Sequence, residues 1–241
     1  MARLAPPVVL GIVFLIIWSW ISTSVGPVAL PQPWGVFERL ITEVQAGLLT
    51  YAASTFLVSA LGSLLGLVVA LPLGYLIAHS RLAAVAISPY LAASQAIPAV
   101  ALAPLLVVWF GYGALPTALL CALMVFFPIA INTTLGFTRV DSDLIGAALV
   151  DGADRWQLLT RVELPLALPA ILAGIRNGFV LSVTGAVVGE FVMGGNGVGQ
   201  LLAIYRDRAD TTGMIAVLTA LILGAVGLFG SVRLIERTLQ W

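Results

Sequence analysis

Residues 137–165, FTRVDSDLIGAALVDGADRWQLLTRVELP, break a chain that is otherwise dominated by long apolar runs. Arg139, Asp141, Asp143, Asp151, Asp154, Arg155, Arg161 and Glu163 all fall in this stretch, so it cannot cross hydrocarbon. It nevertheless reads as two short helices. Ser142 or Asp143 can cap the first and Gly152 can end it. Asp154 can cap a second that runs through Trp156, Leu159 and Val162. Leu144, Ala147 and Ala148 recur at helical spacing, and Trp156 with Leu159 makes a second apolar patch. An exposed tryptophan on a short polar-flanked helix pair calls for a lipid or protein surface to cover it.

Working outward, apolar runs of spanning length cover roughly 51–78, 82–110, 114–136, 166–192 and 212–232. A sixth, Val8 to Ile21, follows Arg3 and has small residues at Ser22 and Ser24, the make-up of a signal peptide. The expectation is an uncleaved first span, hence an all-α integral membrane protein of six transmembrane helices. Residues 1–50 then form the first span, an external loop and an amphipathic stretch from Val36 to Thr50, and 51–241 form a five-helix core that contains 137–165. An even number of spans puts both termini on one side, and the arginines choose it. With a cytoplasmic N-terminus the inner segments hold Arg3, Arg81, Arg139, Arg155, Arg161, Arg233 and Arg237, against Arg39, Arg206 and Arg208 outside.

Composition agrees with lipid as the solvent: 61% of the 241 residues are hydrophobic and 9% are charged. Eleven basic and eleven acidic residues balance, which leaves no field for nucleic acid. All the basic residues are arginines, so the lysine of a phosphate-binding P-loop is missing and the chain cannot be its own ATP-driven motor. The lone His79 rules out a multi-histidine metal site, and the lone Cys121 an internal disulfide. No set of residues suggests an enzyme.

Two runs carry small residues at every fourth position, the spacing that lets helix backbones approach in a membrane. They are Gly62, Gly66, Ala70, Gly74 and Ala78, and Ala170, Gly174, Gly178, Ser182 and Ala186, whose next step is Glu190. Since four residues turn the chain by about 400°, each ridge drifts around its helix. Prolines at 72, 89, 98, 104 and 128 predict kinks. The polar residues inside runs are few: Ser94 and Gln95 before Pro98, then Asn132, Arg176, Asn177, Ser182, Thr184 and Glu190. Intramembrane polar groups are candidates for a translocation path. For Glu190 a hydrogen bond to the following glycine-rich turn is the favoured reading.

Gly146-Ala147-Ala148-Leu-Val-Asp151-Gly152, continuing through Ala153, Asp154, Arg155, Trp156 and Leu159 to Val162-Glu-Leu164-Pro165, resembles the EAA loop of ABC-importer permeases. Gly146 stands where that motif has its glutamate. Ile97-Pro98, Ala101 to Pro104, Trp109 to Gly113, Phe126 to Ile129 with Asn132-Thr133, and Gly189-Glu190-Phe191-Val192 followed by Asn196 to Gly199 are similar to the branch serving nitrate, taurine and alkanesulfonates. The resemblance implies a type I importer permease-like bundle in the bacterial inner membrane, surrounded by lipid. It also implies a second copy of the chain, two cytosolic ATPase subunits that hold ATP and Mg, and an external substrate-binding protein. In that setting 137–165 is the coupling loop. The alternative, a secondary transporter or channel working without ATP, requires a carboxylate near mid-membrane, and no run has an acidic residue at its centre.

Overall fold

The computed structural model describes the backbone of residues 5–239 and the side chains of residues 9–227, and every regular element among them is helical. The elements are α1 (Ala5–Val25), α2 (Pro33–Gln45), α3 (Leu48–His79), α4 (Arg81–Ser94), α5 (Ala103–Phe110), α6 (Ala114–Thr138), α7 (Ser142–Val150), α8 (Arg155–Leu158), α9 (Leu164–Met193), α10 (Val198–Asp207) and α11 (Thr211–Leu239). They fall into two compact units, one made of Met1–Ser54 with Asn196–Trp241 and the other of Thr55–Gly195.

In the Thr55–Gly195 unit α6 is the centre. A Cβ added at Gly66 would lie 2.8 Å from the Ala122 carbonyl oxygen, and one at Gly74 would lie 2.6 Å from Thr133 Cβ. The small ridge of α3 is therefore pressed backbone to backbone on α6. On the other side a Cβ added at Gly174 would lie 2.6 Å from Asn132 Cβ, and one at Gly178 would lie 3.1 Å from Val125 Cγ1. Farther along α9 the contact passes to Gly185, against Met124, and Gly189, against Thr117. That handover is the drift expected of a four-residue ridge, and it turns Ser182 and Glu190 toward α3. Ser182 Oγ donates to the Ser59 carbonyl at 2.7 Å, and Thr55 Oγ1 donates to Glu190 Oε2 at 2.8 Å.

The third run is not one straight span. Helices α4 and Ala99–Phe110 meet at 85°, joined by a 3-10 turn over Ala99–Leu102. Pro98 has no N–H for the carbonyl four residues back and disfavours helical geometry at Ile97, so the chain turns there. Pro72, Pro89 and Pro128, by contrast, stay inside continuous helices, and Pro104 lies in the first turn of α5. Asn132 Nδ2 donates to the Pro128 carbonyl at 2.8 Å and Thr134 Oγ1 to Ala130 O at 2.9 Å, each side chain turned back onto its own helix one turn earlier.

In the other unit the amphipathic stretch, expected over Val36 to Thr50, is helical over Pro33–Gln45 instead. Proline suits a first helical turn, and Gly47, at φ +102°, makes the turn directly before α3 begins at Leu48. Arg39 of α2 pairs with Glu43 at 2.9 Å and with Asp210 at 3.0 Å, and its guanidinium lies 5.5 Å from the Tyr205 ring. Burial, and then the hydrogen bond to Glu43, pushes the Tyr205 phenol up from its ordinary pKa.

Candidate coupling loop and translocation residues

The segment after α6 is built by its caps. Asp141, one residue before the expected cap, accepts from Asp143 N–H through Oδ1 at 2.9 Å and starts α7. At the other end Gly152 has φ +85°, its N–H donates to the Leu149 carbonyl at 3.1 Å, and the Ala153 N–H donates to Ala148 O at 3.0 Å. That pair of bonds with a left-handed glycine is a Schellman ending. Asp151 is the last residue before it. Asp154 then opens α8 with a capping box: its Oδ1 accepts from Gln157 N–H at 2.8 Å, and Gln157 Oε1 accepts from Asp154 N–H at 3.1 Å.

The second short helix is not separate from the fifth span. Arg155–Met193 runs as one helix of 39 residues through Leu164 and Pro165. The reason is a π turn at Leu159–Glu163, where the Leu164 N–H donates to the carbonyl of Leu159, five residues back. This wider turn takes up the register change at Pro165, which has no N–H to give. The apolar surface at the tip is larger than Ala147, Ala148, Trp156 and Leu159 alone. Val150 is 89% exposed and Trp156 71%, with Leu144, Leu149 and Ala147 also exposed, whereas Ala148 and Leu159 are half-buried. Arg155 is exposed beside Trp156, and a Cβ at Gly146 would meet nothing within 4 Å.

The polar residues expected along a path separate into two groups. Ser182 is 0% exposed and Glu190 2%, both enclosed by their bonds to α3, and Cys121 Sγ reaches the Ser182 carbonyl at 3.3 Å. Asn132 is half-buried with its amide turned back on α6. Asn177 and Thr184, seven residues apart, share an exposed face of α9. Gln95 and Pro98 are exposed at the α4 break, and the half-buried Ser94 donates to Leu91 O at 3.0 Å. Sequence reasoning missed the partners on α3. Thr55, Ser59 and Ser63, all buried, form a four-residue series of their own, one position out of step with Gly62 and Gly66, and that run of small hydroxyl residues was the available signal. It also missed His79 Nε2 facing the buried Glu163 Oε2 at 3.1 Å.

Residues 62–241 match the family described as binding-protein-dependent transport system inner membrane component. The chain is 44% identical to the riboflavin transport system permease protein RibX of Chloroflexus aurantiacus, over 68% of this chain and 62% of that protein, so it spans under two thirds of that relative. It is 33% identical to the putative aliphatic sulfonates transport permease protein SsuC of Bacillus subtilis, over 95% of this chain and 84% of that one. Among solved structures, a chain of the MetNI methionine ABC transporter in an inward-facing conformation has the same fold. The TM-score is 0.68 over 81% of this chain and 97% of that one, at 22% identity.

Proposed function

The chain belongs to the family of binding-protein-dependent transport system inner membrane components and is the membrane permease subunit of an ABC importer; we propose that it works by a lever, Arg155 to Met193, pushed at Trp156 by a cytosolic ATPase. The carrying observation is the continuity of that helix. Its exposed tip and the ridge seated on α6 belong to one continuous helix, so displacement at the tip can be passed to the span. Two ATPase subunits bind ATP and Mg and supply the energy, and this chain binds neither. Gly146, Ala147, Ala148, Gly152 and Trp156 form the docking surface, with both termini and 137–165 on the cytoplasmic side.

A second copy of the chain completes the pathway, and an external binding protein delivers the solute. Of the polar candidates, Gln95, Asn177 and Thr184, exposed on this subunit, are the residues placed to face the solute, while Ser182 and Glu190 brace α9 on α3. The solute is a small molecule, either an anion such as nitrate or a sulfonate, in keeping with the sulfonate relative, or an uncharged heterocycle, in keeping with the riboflavin relative, and its identity is selected by the binding protein. Vesicles reconstituted with permease, ATPase and binding protein test this reading. Uptake is expected to require ATP and both partners. Uptake driven by an ion gradient without ATP would establish a secondary transporter instead.

A further inference from the structure

We infer that His79 is a positioning residue of the transport cycle, pinning the inner end of α9 to α3 so that a push at Trp156 turns the span instead of bending the π turn. The inference rests on the lever reading. Glu163 is the last residue of the π turn and is 7% exposed, and a carboxylate taken that far out of water needs a partner. His79 provides it, Nε2 to Oε2 at 3.1 Å. The other ring nitrogen, Nδ1, lies 3.0 Å from the Tyr75 carbonyl oxygen. Both nitrogens thus face oxygen atoms, so the ring is held from both of its polar edges.

The ring is clamped as well as bonded. Its centroid is 4.1 Å from that of Tyr75 and 5.3 Å from that of Phe137, and Tyr75 and Phe137 meet edge to face at 5.2 Å. The tie therefore bridges α3, the end of α6 and the start of α9. It sits where the 39-residue helix is softest, since the π turn replaces four-residue hydrogen bonding and Pro165 gives no N–H. Without it, motion at Trp156 is absorbed at residues 159–163 and does not reach the ridge on α6.

The test is the number of solute molecules taken up per ATP hydrolysed by the reconstituted importer. His79→Phe keeps the ring stacking and removes both hydrogen bonds; the ratio is expected to fall about fivefold or more, with unchanged ATPase copurification. His79→Gln, whose amide N–H can reach Glu163, is expected to restore most of it. Glu163→Ala, which removes the tie without leaving a buried charge, should reproduce the Phe phenotype even if the Phe variant fails to assemble. A wild-type ratio in His79→Phe or Glu163→Ala, or a Gln variant as uncoupled as Phe, overturns the inference. Trp156→Ala is run alongside. If it uncouples while His79→Phe does not, this inference alone falls; if it stays coupled, the lever reading falls and takes the inference with it.

Discussion

Ser182 Oγ donates to the main-chain carbonyl of Ser59 at 2.7 Å, with both groups sealed between α3 and α9. A path-lining serine and a bracing serine differ in what their loss does. Ser182→Ala removes one buried hydrogen bond and is expected to lower stability by about 1 kcal/mol, read as a lower midpoint of thermal unfolding in detergent. Uptake per folded molecule should be unchanged. A large drop in uptake at unchanged stability would put the hydroxyl in contact with solute.

The seat of α9 on α6 leaves no room for a methyl group at its closest point. Gly174→Ala would bring a Cβ to 2.6 Å from Asn132 Cβ and 2.9 Å from the Pro128 carbonyl oxygen. Overpacking of this kind costs about 1–3 kcal/mol. Gly146→Ala meets nothing within 4 Å and gains helix propensity, so it is expected to be neutral or stabilising. Equal stability of the two variants in a detergent melting series would contradict the observed helix contact.

Gly152 isolates backbone strain from packing, because its φ is +85° while nothing lies within 4 Å of an added Cβ. Gly152→Val is expected to cost roughly 1–2 kcal/mol locally, loosen the Schellman ending and misplace Trp156. The protein should insert normally and transport less. Wild-type uptake and ATPase association in this variant would remove the turn from the coupling geometry.

Much of this was legible in the sequence where one periodicity decides one neighbour. The four-residue ridges through Gly66 and Gly174 do bury on α6, and the glycine expected to end α7 is left-handed at 152. What was not legible depended on distant partners or on how a local break is absorbed. Pro98 and Pro128 look alike in sequence, yet one turns the chain by 85° and the other stays inside a continuous helix. Leu164-Pro165 reads as a stop, and only the π turn lets the helix continue. Ser182 and Glu190 sit in the same series as Gly174, but helix drift turns them to α3, and no local rule foretells a bond between His79 and Glu163, 84 residues apart.

The orientation proposed from the arginine distribution is open to direct labelling. The only cysteine, Cys121, is fully buried, so single cysteines introduced elsewhere report without background. Cysteines at 146 and 152 are expected to react with a membrane-impermeant thiol reagent only from the cytoplasm, and one at 206 only from outside. Reaction of all three from the same side would contradict the orientation.

The lever itself is tested most directly at Trp156, which is 71% exposed at the tip of a helix that continues to Met193. The segment around it, with Asp143, Asp151, Asp154 and Glu163 against Arg155 and Arg161, is poorly suited to an anionic lipid surface, so a protein groove is the expected cover. Truncating a buried interface tryptophan commonly costs about 2 kcal/mol or more. The measurement is the ratio of ATPase to permease after detergent purification of Trp156→Ala, together with ATP-driven uptake in vesicles. The expected result is a reduced ratio and ATP hydrolysis uncoupled from uptake, with membrane insertion intact. An unchanged ratio with unchanged uptake would contradict the lever.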